Sequence, residues 1–336
     1  MFKEKQIFAA PLAGSRLRGN DKGNESARVP IFAAPLAGIT DKPFRKIMRR
    51  LAPDAAMVTE MISCHSLAGG RRNCLRNLDD YSDEGNIGAQ IFGANPELMA
   101  NAAKILQDRG AKWIDINMGC PVPKVATRAG AGAFLMRDHA LAGRIVKSVV
   151  NSVSIPVSVK TRLGWDDSHR DWTDLVRIAG DNGAAFAALH GRTRAQGYAG
   201  HAELPKIEGL MPMIANGDIK TKEDIARAEA LGYSGAMIGR ALLGRPWLLG
   251  ELSGQESEII KNKSEIILEH LELVVEYYGE RAGVPLFRKH AAWYSSGMKN
   301  SAEFRIKVNH IADARALKSA ICEFWGCESN SQALSL

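Results

Sequence analysis

The sequence lacks the features of a membrane-anchored or disulfide-stabilised protein. None of its apolar runs approaches the roughly 18–20 residues that a membrane-spanning helix needs. The apolar stretch near the N-terminus leads into a polar, Gly-rich segment of mixed charge, unlike a secretory signal. The five cysteines are odd in number and include no Cys-x-x-Cys pair. We therefore expect a cytoplasmic protein with reduced thiols.

Two kinds of ligand site are also missing from the sequence. Cys322 and Cys327 have no second cysteine or histidine pair to complete a zinc site, so no metal is expected. No G-x-G-x-x-G fingerprint follows a predicted strand, because Gly130-Ala131-Gly132 lacks the third glycine. The sequence thus argues against a resident dinucleotide-binding domain.

Positive charge is unevenly distributed along the 336 residues, whose formal net charge is +7. Between residues 281 and 318 only Glu303 and Asp313 oppose eight basic residues. These are Arg281, Arg288, Lys289, Lys299, Arg305, Lys307, Arg315 and Lys318. Such a surplus on predicted helices is typical of a polyanion-binding surface. Charge alone does not distinguish that surface from a solvated helix face.

The octapeptide IFAAPLAG occurs twice, at Ile7–Gly14 and at Ile31–Gly38. Only the second copy continues into a helical pattern, with Asp41 as cap and Pro43 in the first turn. The first copy runs into a polar segment without apolar periodicity. We therefore predict that residues 1–30 are a duplicated, poorly ordered extension.

Short apolar runs then alternate with amphipathic helical patterns. The runs are Ile31–Pro35, Met57–Glu60, Ile87–Phe92, Trp113–Asn117, Val157–Thr161, Phe186–His190, Met213–Asn216 and Ala236–Gly239. The clearest helical patterns are Pro96–Arg109, Asp138–Asn151, Asp171–Asn182 and Thr221–Leu231, and only Leu204–Leu210 is available for the sixth helix. Eight strand–helix units predict a TIM (β/α)₈ barrel over residues 31–250, with a doubly wound open sheet as the alternative.

Strand signals stop after Trp247. Helical spacing predicts helices at Ser264–Tyr278, Pro285–Lys299 and Ala312–Trp325. The sequence therefore indicates a small all-helical C-terminal domain over residues 251–326, followed by a disordered tail at 327–336.

Polar side chains follow nearly every predicted strand, where a barrel builds its active site. Buried amides and charges need partners, and the Gly-rich loops after the last two strands offer backbone N–H groups to a phosphate. Lys160 could stabilise an anionic ring edge. A flavin would satisfy both needs.

Several segments closely resemble the dihydrouridine synthase family, whose bacterial B-type branch is the most similar. The matching segments are APLAGITDKPFR (34–45), GAQIFG (88–93), DINMGCPVPKV (115–125), GAGAFLMRD (130–138), VKTRLGWDD (159–167), HGRTRAQGYAGHAE (190–203), IANGDI (214–219), MIGRALLGRPW (237–247) and FRKHAAWY (287–294). The similarity covers nearly everything from Ile31 to Trp325, and NMGCP and IANGD are highly specific. Leu36 stands where the family more often has Met, a volume-conserving change.

The resemblance implies flavin mononucleotide (FMN) as the cofactor. Its ring would be lined by Pro35, Leu36 and Ala37. Gln90 and Lys160 would bind its polar edge, and His190 would contact it from the sixth strand. Its phosphate would be held by Asn216, Gly217, Asp218, Gly239 and Arg240. The nicotinamide donor, NADPH or NADH, would reduce the flavin transiently before RNA binds.

The implied reaction is the reduction of uridine in tRNA to 5,6-dihydrouridine. It needs hydride at C6, from the flavin, and a proton at C5, for which Cys120 is the family's general acid. A thiol is mostly protonated at neutral pH, so Cys120 can donate. Asn117 and Arg162 would orient the uracil. The simpler interpretation of Cys120 is a small packing residue before Pro121.

The target base must leave its stack to reach a barrel mouth, so the RNA must be held beside the site while the base is turned out. The basic helices could bind the RNA in this way. Arg288, Lys289, Trp293, Lys299, Arg305 and Lys307 would contact the RNA backbone. His290 and Trp293 could equally be core residues. We expect tRNA and NAD(P)H as partners and favour a monomer.

Two other functions remain open at this point. A flavin barrel could reduce a free pyrimidine or another small unsaturated compound, although such a substrate would not need the basic helices. A flavin-less protein could bind tRNA without catalysis, and it would purify colourless.

Overall fold

Short parallel strands rich in Ala, Ile and Val form the first part of the fold. The computed structural model describes residues 29–68, 78, 80–127, 129–255 and 262–327. Its strands are β1 (Ile31–Ala33), β2 (Ala56–Val58), β3 (Ile62–Ser63), β4 (Ile87–Phe92), β5 (Trp113–Asn117), β6 (Val157–Arg162), β7 (Phe186–His190), β8 (Met213–Asn216) and β9 (Gly235–Ile238). The second IFAAPLAG copy supplies β1. The first copy and the predicted tail beyond Cys327 lie outside the described residues.

Parallel pairing closes these strands into a barrel. Each strand from β4 to β9 pairs with the next, and β1 pairs with both β9 and β2. Both β2 and β3 pair with β4, through Met57↔Ile87 and Ile62↔Ile91, so they share one barrel position. The result is a closed barrel of eight positions, which confirms the predicted TIM barrel and excludes the open sheet.

Helices follow the barrel strands. They are α1 (Lys42–Leu51), α2 (Cys64–Ala68), α3 (Pro96–Asp108), α4 (Pro123–Ala126), α5 (His139–Val150), α6 (Trp172–Asp181) and α7 (Lys222–Ala230), with a 3-10 helix at Gly132–Arg137. Asn95, Asp138 and Thr221 cap α3, α5 and α7 through side-chain oxygens. These caps explain why the ends of α3, α5 and α7 agree with the sequence patterns to within a residue.

The expected sixth helix is wrong. All of residues 204–210 are described, and they form no helix. The backbone N–H of Ile207 instead donates to Leu231 O at the end of α7, over 2.8 Å. Pro205 and Gly209 interrupt a segment that is too short to nucleate a helix by itself.

Large aromatic side chains fill the lower part of the barrel. The rings of Phe32, Trp113 and Phe186 have centroids 6.0–6.4 Å apart and are at most 3% exposed. Gly88 makes room for them, because a Cβ there would lie 2.0 Å from Trp113 Cε2. The barrel interior is therefore a packed core below the strand ends.

The chain divides into two compact units. The barrel unit comprises residues up to Asp41 together with Asp54–Gly239, and the helical unit comprises Lys42–Pro53 together with residues from Arg240 onward. By its packing α1 therefore belongs to the helical unit, although it follows β1 in the chain.

The helical unit contains five further helices and a 3-10 helix within the described residues. They are the 3-10 helix Arg240–Leu242 and helices α8 (Leu248–Ser253), α9 (Lys263–Tyr278), α10 (Glu280–Tyr294), α11 (Ser301–Asn309) and α12 (Ala314–Trp325). Ile47 of α1, Leu271 of α9, Phe287 of α10 and Ile321 of α12 share one core. None of the helices in the described part of the chain is long and apolar enough to cross a membrane.

The boundaries of α10 differ from the expected Pro285–Lys299. The helix begins at Glu280 and includes Pro285, because its first turn packs tightly on α9: a Cβ at Gly283 would lie 2.9 Å from Val274 O. It ends at Tyr294, before the Ser-Ser-Gly sequence.

Helix α11 was not predicted from the sequence. Its apolar residues Phe304, Ile306 and Val308 alternate with a period of two, and Ile306 is 66% exposed. Phe304 and Val308 are four residues apart and buried on one face, but the exposed Ile306 between them leaves only a weak helical pattern in the sequence.

Candidate active site at the mouth of the barrel

Polar side chains replace the aromatic core at the carboxyl ends of the strands. Alternate residues of a strand share one side, so Asp115 and Asn117 lie above Trp113 on β5. The pairing Asn117↔Lys160, Arg162↔His190 and His190↔Asn216 then places the ends of four strands side by side. The barrel thus gathers most of the predicted strand-end residues at one mouth.

A first hydrogen-bond chain crosses β4, β5 and β6. Gln90 Nε2 donates to Asp115 over 2.6 Å, and Asn117 Nδ2 donates to Gln90 Oε1 over 2.8 Å. Ser158 Oγ donates to the same carboxylate over 2.5 Å. Burial raises the pKa of Asp115 to about 6, against the lowering effect of these two donors. Both ends of the Gln90 amide are engaged, so this residue holds Asn117 in place.

A second chain joins β6, β7 and β8. Lys160 Nζ donates to Asn216 Oδ1 over 3.0 Å, and His190 Nδ1 lies 3.0 Å from the same oxygen. Asn216 Nδ2 donates to Met237 O over 2.8 Å. The structure therefore brings Lys160, His190 and Asn216 into direct contact, as the strand-end argument expects.

His190 is neutral in this setting. Burial, followed by the charges of Lys160 and Arg162, lowers its pKa to about 2. Because Asn216 Oδ1 only accepts, we assign the ring proton to Nδ1. Nε2 is then a buried acceptor with no hydrogen-bond partner among the described residues. A ligand that donates a hydrogen bond to Nε2 would satisfy this acceptor.

Lys160 is a half-buried cation beside this acceptor. Burial, with the nearby Arg162 charge, lowers its pKa to about 8, so most molecules still carry the charge at pH 7. An ammonium in this position favours an anionic or electron-rich ligand atom.

The Cys120 loop is fixed by the residues around it. Asn117 Oδ1 accepts the backbone N–H groups of Gly119 and Cys120 over 3.2 and 2.9 Å. Arg162 Nε donates to Gly119 O over 2.7 Å, and Ala133 N donates to Cys120 O over 3.1 Å. The thiol is free and partly exposed, and burial raises its pKa above the ordinary value. It therefore stays protonated at neutral pH, as a proton donor requires.

Arg162, at the end of β6, also joins the loop after β5 to the loop after β7. It is 4% exposed, and Nη1 donates to Thr193 O and Gly197 O over 3.1 and 2.9 Å. Its guanidinium carbon lies 5.7 Å from the centroid of the Tyr198 ring.

Tyr198 was missed by the sequence reasoning. It is 54% exposed, and its ring centroid is 6.3 Å from that of His190. An aromatic residue in the Gly-rich stretch QGYAG, shortly after a strand end, was the available signal in the sequence, because aromatic residues in such loops often contact ligands.

The loop after β8 is shaped for close backbone approach. Gly217 has φ 121°, and a Cβ there would lie 2.7 Å from that of Ala202. Asp218 has φ 53°, and its carboxylate accepts from Arg192 Nη1 and Nη2 over 3.1 and 2.6 Å. The Asp218 carboxylate is therefore engaged by Arg192.

The remaining predicted cofactor residues lie in less enclosed positions. Pro35 and Leu36 are half-buried and Ala37 is exposed, in a turn where Leu36 N donates to Thr40 Oγ1 over 3.0 Å. Gly239 ends the barrel unit, and Arg240 is an exposed residue that begins the helical unit.

The predicted RNA-binding cations occupy different environments in the helical unit. Arg288 donates from Nε and Nη2 to Ile311 O over 3.1 and 2.6 Å, which joins α10 to the segment before α12. Lys289 is half-buried, Lys299 is exposed in the turn after α10, and Lys307 is exposed and paired with Glu323. Lys299 and Lys307 are thus better placed than Arg288 to reach a polyanion.

The two aromatic candidates of this unit also differ. His290 is 3% exposed and packs with Phe44 and His270, so it is a core residue. Trp293 is half-buried, and its ring centroid is 5.2 Å from that of His290.

Comparison with known proteins gives a consistent result. The family model described as dihydrouridine synthase (Dus) matches residues 32–325. A probable tRNA-dihydrouridine synthase of Rickettsia bellii is 40% identical over 320 residues, covering 90% of this chain and 97% of the relative. The tRNA-dihydrouridine synthase B of Xanthomonas axonopodis pv. citri is 41% identical, covering 85% and 90%. That of Pseudomonas aeruginosa is 37% identical, covering 90% and 94%.

Proposed function

The chain belongs to the dihydrouridine synthase family, an enzyme family, and from this premise we propose that it reduces uridines in tRNA to 5,6-dihydrouridine with FMN as cofactor. NADPH or NADH would supply the two electrons by a transient visit to the flavin.

The residues at the mouth of the barrel fit a flavin. The unpaired Nε2 of His190 would accept a hydrogen bond from a donor group of the cofactor. The Lys160 ammonium would bind the electron-rich edge of the flavin ring. Pro35, Leu36 and Ala37 would border the ring. The phosphate end would be held by the loops after β8 and β9. The contributing groups would be the backbone N–H groups of Gly217 and Asp218, together with Asn216, Gly239 and the side chain of Arg240. When bound, the flavin would supply hydride to C6 of the uracil.

Cys120 would complete the reduction of the C5–C6 double bond. Its Sγ–H would give a proton to C5, and the resulting thiolate would recover a proton from solvent. Because burial raises the pKa of Cys120, the proton remains on sulfur until it is transferred to C5. Asn117 would position the thiol by holding the Gly119 and Cys120 N–H groups, and Arg162 would support the same loop.

The helical unit would supply the contacts to the RNA backbone. Lys299 and Lys307 present exposed ammonium groups, and Lys289 is half-buried. Arg288 would act mainly by fixing the segment around Ile311.

The observation that carries this proposal is the position of the Cys120 thiol. It lies in a loop held by Asn117 and Arg162, close enough to Lys160 for the ammonium to favour the thiolate that proton donation leaves. A proton donor held beside the Lys160 and Arg162 cations suits the proposed reduction.

The test uses the purified full-length protein with an unmodified tRNA transcript and NADPH. We expect a bound flavin in the visible absorption spectrum and a mass gain of two hydrogens in one or more uridines. A yellow protein that reduces free uridine but not the transcript would favour the small-substrate oxidoreductase. A colourless protein that binds the transcript without changing its mass would favour a non-catalytic tRNA-binding protein.

A further inference from the structure

A cavity of about 530 Å³ lies in the barrel unit beside the site described above. Its walls include Arg137 and His139, from the 3-10 helix after β5 and the start of α5, and Trp165, His169 and Asp171 from the loop after β6. These segments lie within GAGAFLMRD and VKTRLGWDD and the residues next to them. The proposed reaction gives no role to the residues that line the cavity. The volume is in the range of small-ligand sites and suits one nucleotide.

Stacking groups dominate one side of the cavity. Trp165 is half-buried, and the guanidinium carbons of Arg137 and Arg194 lie 5.0 and 4.4 Å from its ring centroid. Arg137 is exposed, so its planar group can carry a further stacked ring. Single-stranded nucleic acid is bound by such aromatic and arginine surfaces.

Two carboxylates make the cavity unsuitable for a simple anion. Asp166 lies 2.7 Å from His169 Nδ1, and Asp171 lies 3.2 Å from His139 Nε2. Carboxylates repel free phosphate but accept hydrogen bonds from the amino groups of a base or from ribose hydroxyls. Arginine and carboxylate side chains together therefore match a whole nucleotide better than they match a free phosphate or a free base.

The loop that presents Trp165 is rigid. Trp165 N donates to His169 O over 3.0 Å, and His169 N donates to Asp166 O over 3.2 Å. Gly164 has φ 155°, and a Cβ there would lie 1.8 Å from His169 O. The ring is thus oriented before any ligand arrives, which reduces the entropic cost of binding.

Both walls of the cavity also form part of the Cys120 site. Ala133, in the same 3-10 helix as Arg137, donates to Cys120 O, and Gly132 lies against Cys120, since a Cβ there would be 3.2 Å from that of Cys120. The loop that carries Trp165 begins directly after Arg162. An RNA whose uridine reached Cys120 would therefore place a neighbouring nucleotide near this cavity.

We infer that the cavity is a second nucleotide subsite, which takes an unstacked nucleotide of the same tRNA against Trp165 and Arg137. This inference rests on the proposed function. The nucleotide chemistry is shared with the adenosine half of NADPH, and the experiment separates these two sources.

The test compares Arg137→Ala and Trp165→Leu with Arg177→Ala, in flavin-loaded protein. Arg177 is an exposed arginine of α6 in the same unit, paired with Asp174, and serves as the matched control. Loss of one stacked base predicts a roughly 5- to 150-fold weaker tRNA affinity and higher KM for tRNA. Flavin content, the KM for NADPH and the rate of flavin reduction by NADPH without RNA should match the control.

The conservative variant Arg137→Lys distinguishes stacking from charge, since it keeps the charge and loses the planar group. It should retain only part of the tRNA affinity. Equal tRNA affinity in Arg137→Ala, Trp165→Leu and the control would overturn the inference. So would a raised KM for NADPH with unchanged tRNA affinity, which would assign the cavity to the dinucleotide.

Failure of the proposed function would look different. In that case the wild-type protein would form no dihydrouridine, while the comparison of tRNA affinities would still decide whether the cavity binds RNA.

Discussion

We expect the affinity for flavin to depend on pH through the Lys160 ammonium. Its pKa is lowered to about 8 in the flavin-free protein. The protonated fraction then falls from roughly nine-tenths at pH 7 to roughly one-tenth at pH 9. If the flavin binds the ammonium form, its affinity should fall about tenfold over this interval.

The opposite trend is expected for the stability of the flavin-free protein. Lysine in the unfolded chain keeps its ordinary, higher pKa and therefore binds more protons than folded Lys160 between about pH 8 and 10. The free energy of unfolding contributed by Lys160 thus rises with pH, while the affinity for flavin falls. A simple loss of folding at high pH would lower both quantities together.

Fluorescence quenching of riboflavin at several pH values measures the affinity. Riboflavin is preferred to FMN because it has no phosphate that titrates near neutral pH. Lys160→Met is the matched control, since it removes the ammonium and keeps the length of the side chain. An equal pH dependence in both proteins, or none in the wild type, would refute the assignment of Lys160 to the flavin.

Three further predictions follow from the site and the helical unit. Cys120→Ala should keep its flavin and its tRNA affinity but lose turnover by a factor of roughly 10²–10⁴. Dihydrouridine formation at the wild-type rate by this variant would show that Cys120 is not the general acid. Deletion of residues 1–28 should leave folding and activity intact. Pro30 must be kept, because its carbonyl accepts a hydrogen bond from the backbone of β9 over 3.0 Å. A lower melting temperature of the shortened protein would contradict this prediction. Lys299→Ala with Lys307→Ala should flatten the log–log salt dependence of tRNA binding by about one to two units, while flavin reduction by NADPH is unchanged. An unaltered slope would mean that these two cations form only a solvated surface.

The sequence by itself determined the barrel. Strands such as β4, β5, β7 and β8 agree with their apolar runs residue for residue, because a strand buried on both faces leaves a continuous apolar signal. The helices with side-chain caps were equally clear from the sequence. The candidate site followed from the rule that strand ends converge at one mouth, which needs only the order of the strands.

Signals were absent where the local pattern does not decide the structure. Helix α11 has only two buried apolar residues at helical spacing, Phe304 and Val308. The segment 204–210 has the length of a short helix, but its Ile207 N–H donates to Leu231 O. The first turn of α10 forms despite Pro285, because Gly283 packs against α9. In each case a distant part of the chain outweighs a weak local preference.

Only the tertiary structure decided which partners each site residue contacts. The sequence places Lys160, His190 and Asn216 at strand ends, but it does not say that all three meet at one amide oxygen or that this leaves His190 Nε2 bare. It gives Arg288 and Lys299 the same charge, yet Arg288 bonds to Ile311 O while Lys299 is exposed. The physical reason is that hydrogen bonds and burial depend on which side chains meet in space, and the residues that meet here are 23–56 positions apart in the chain.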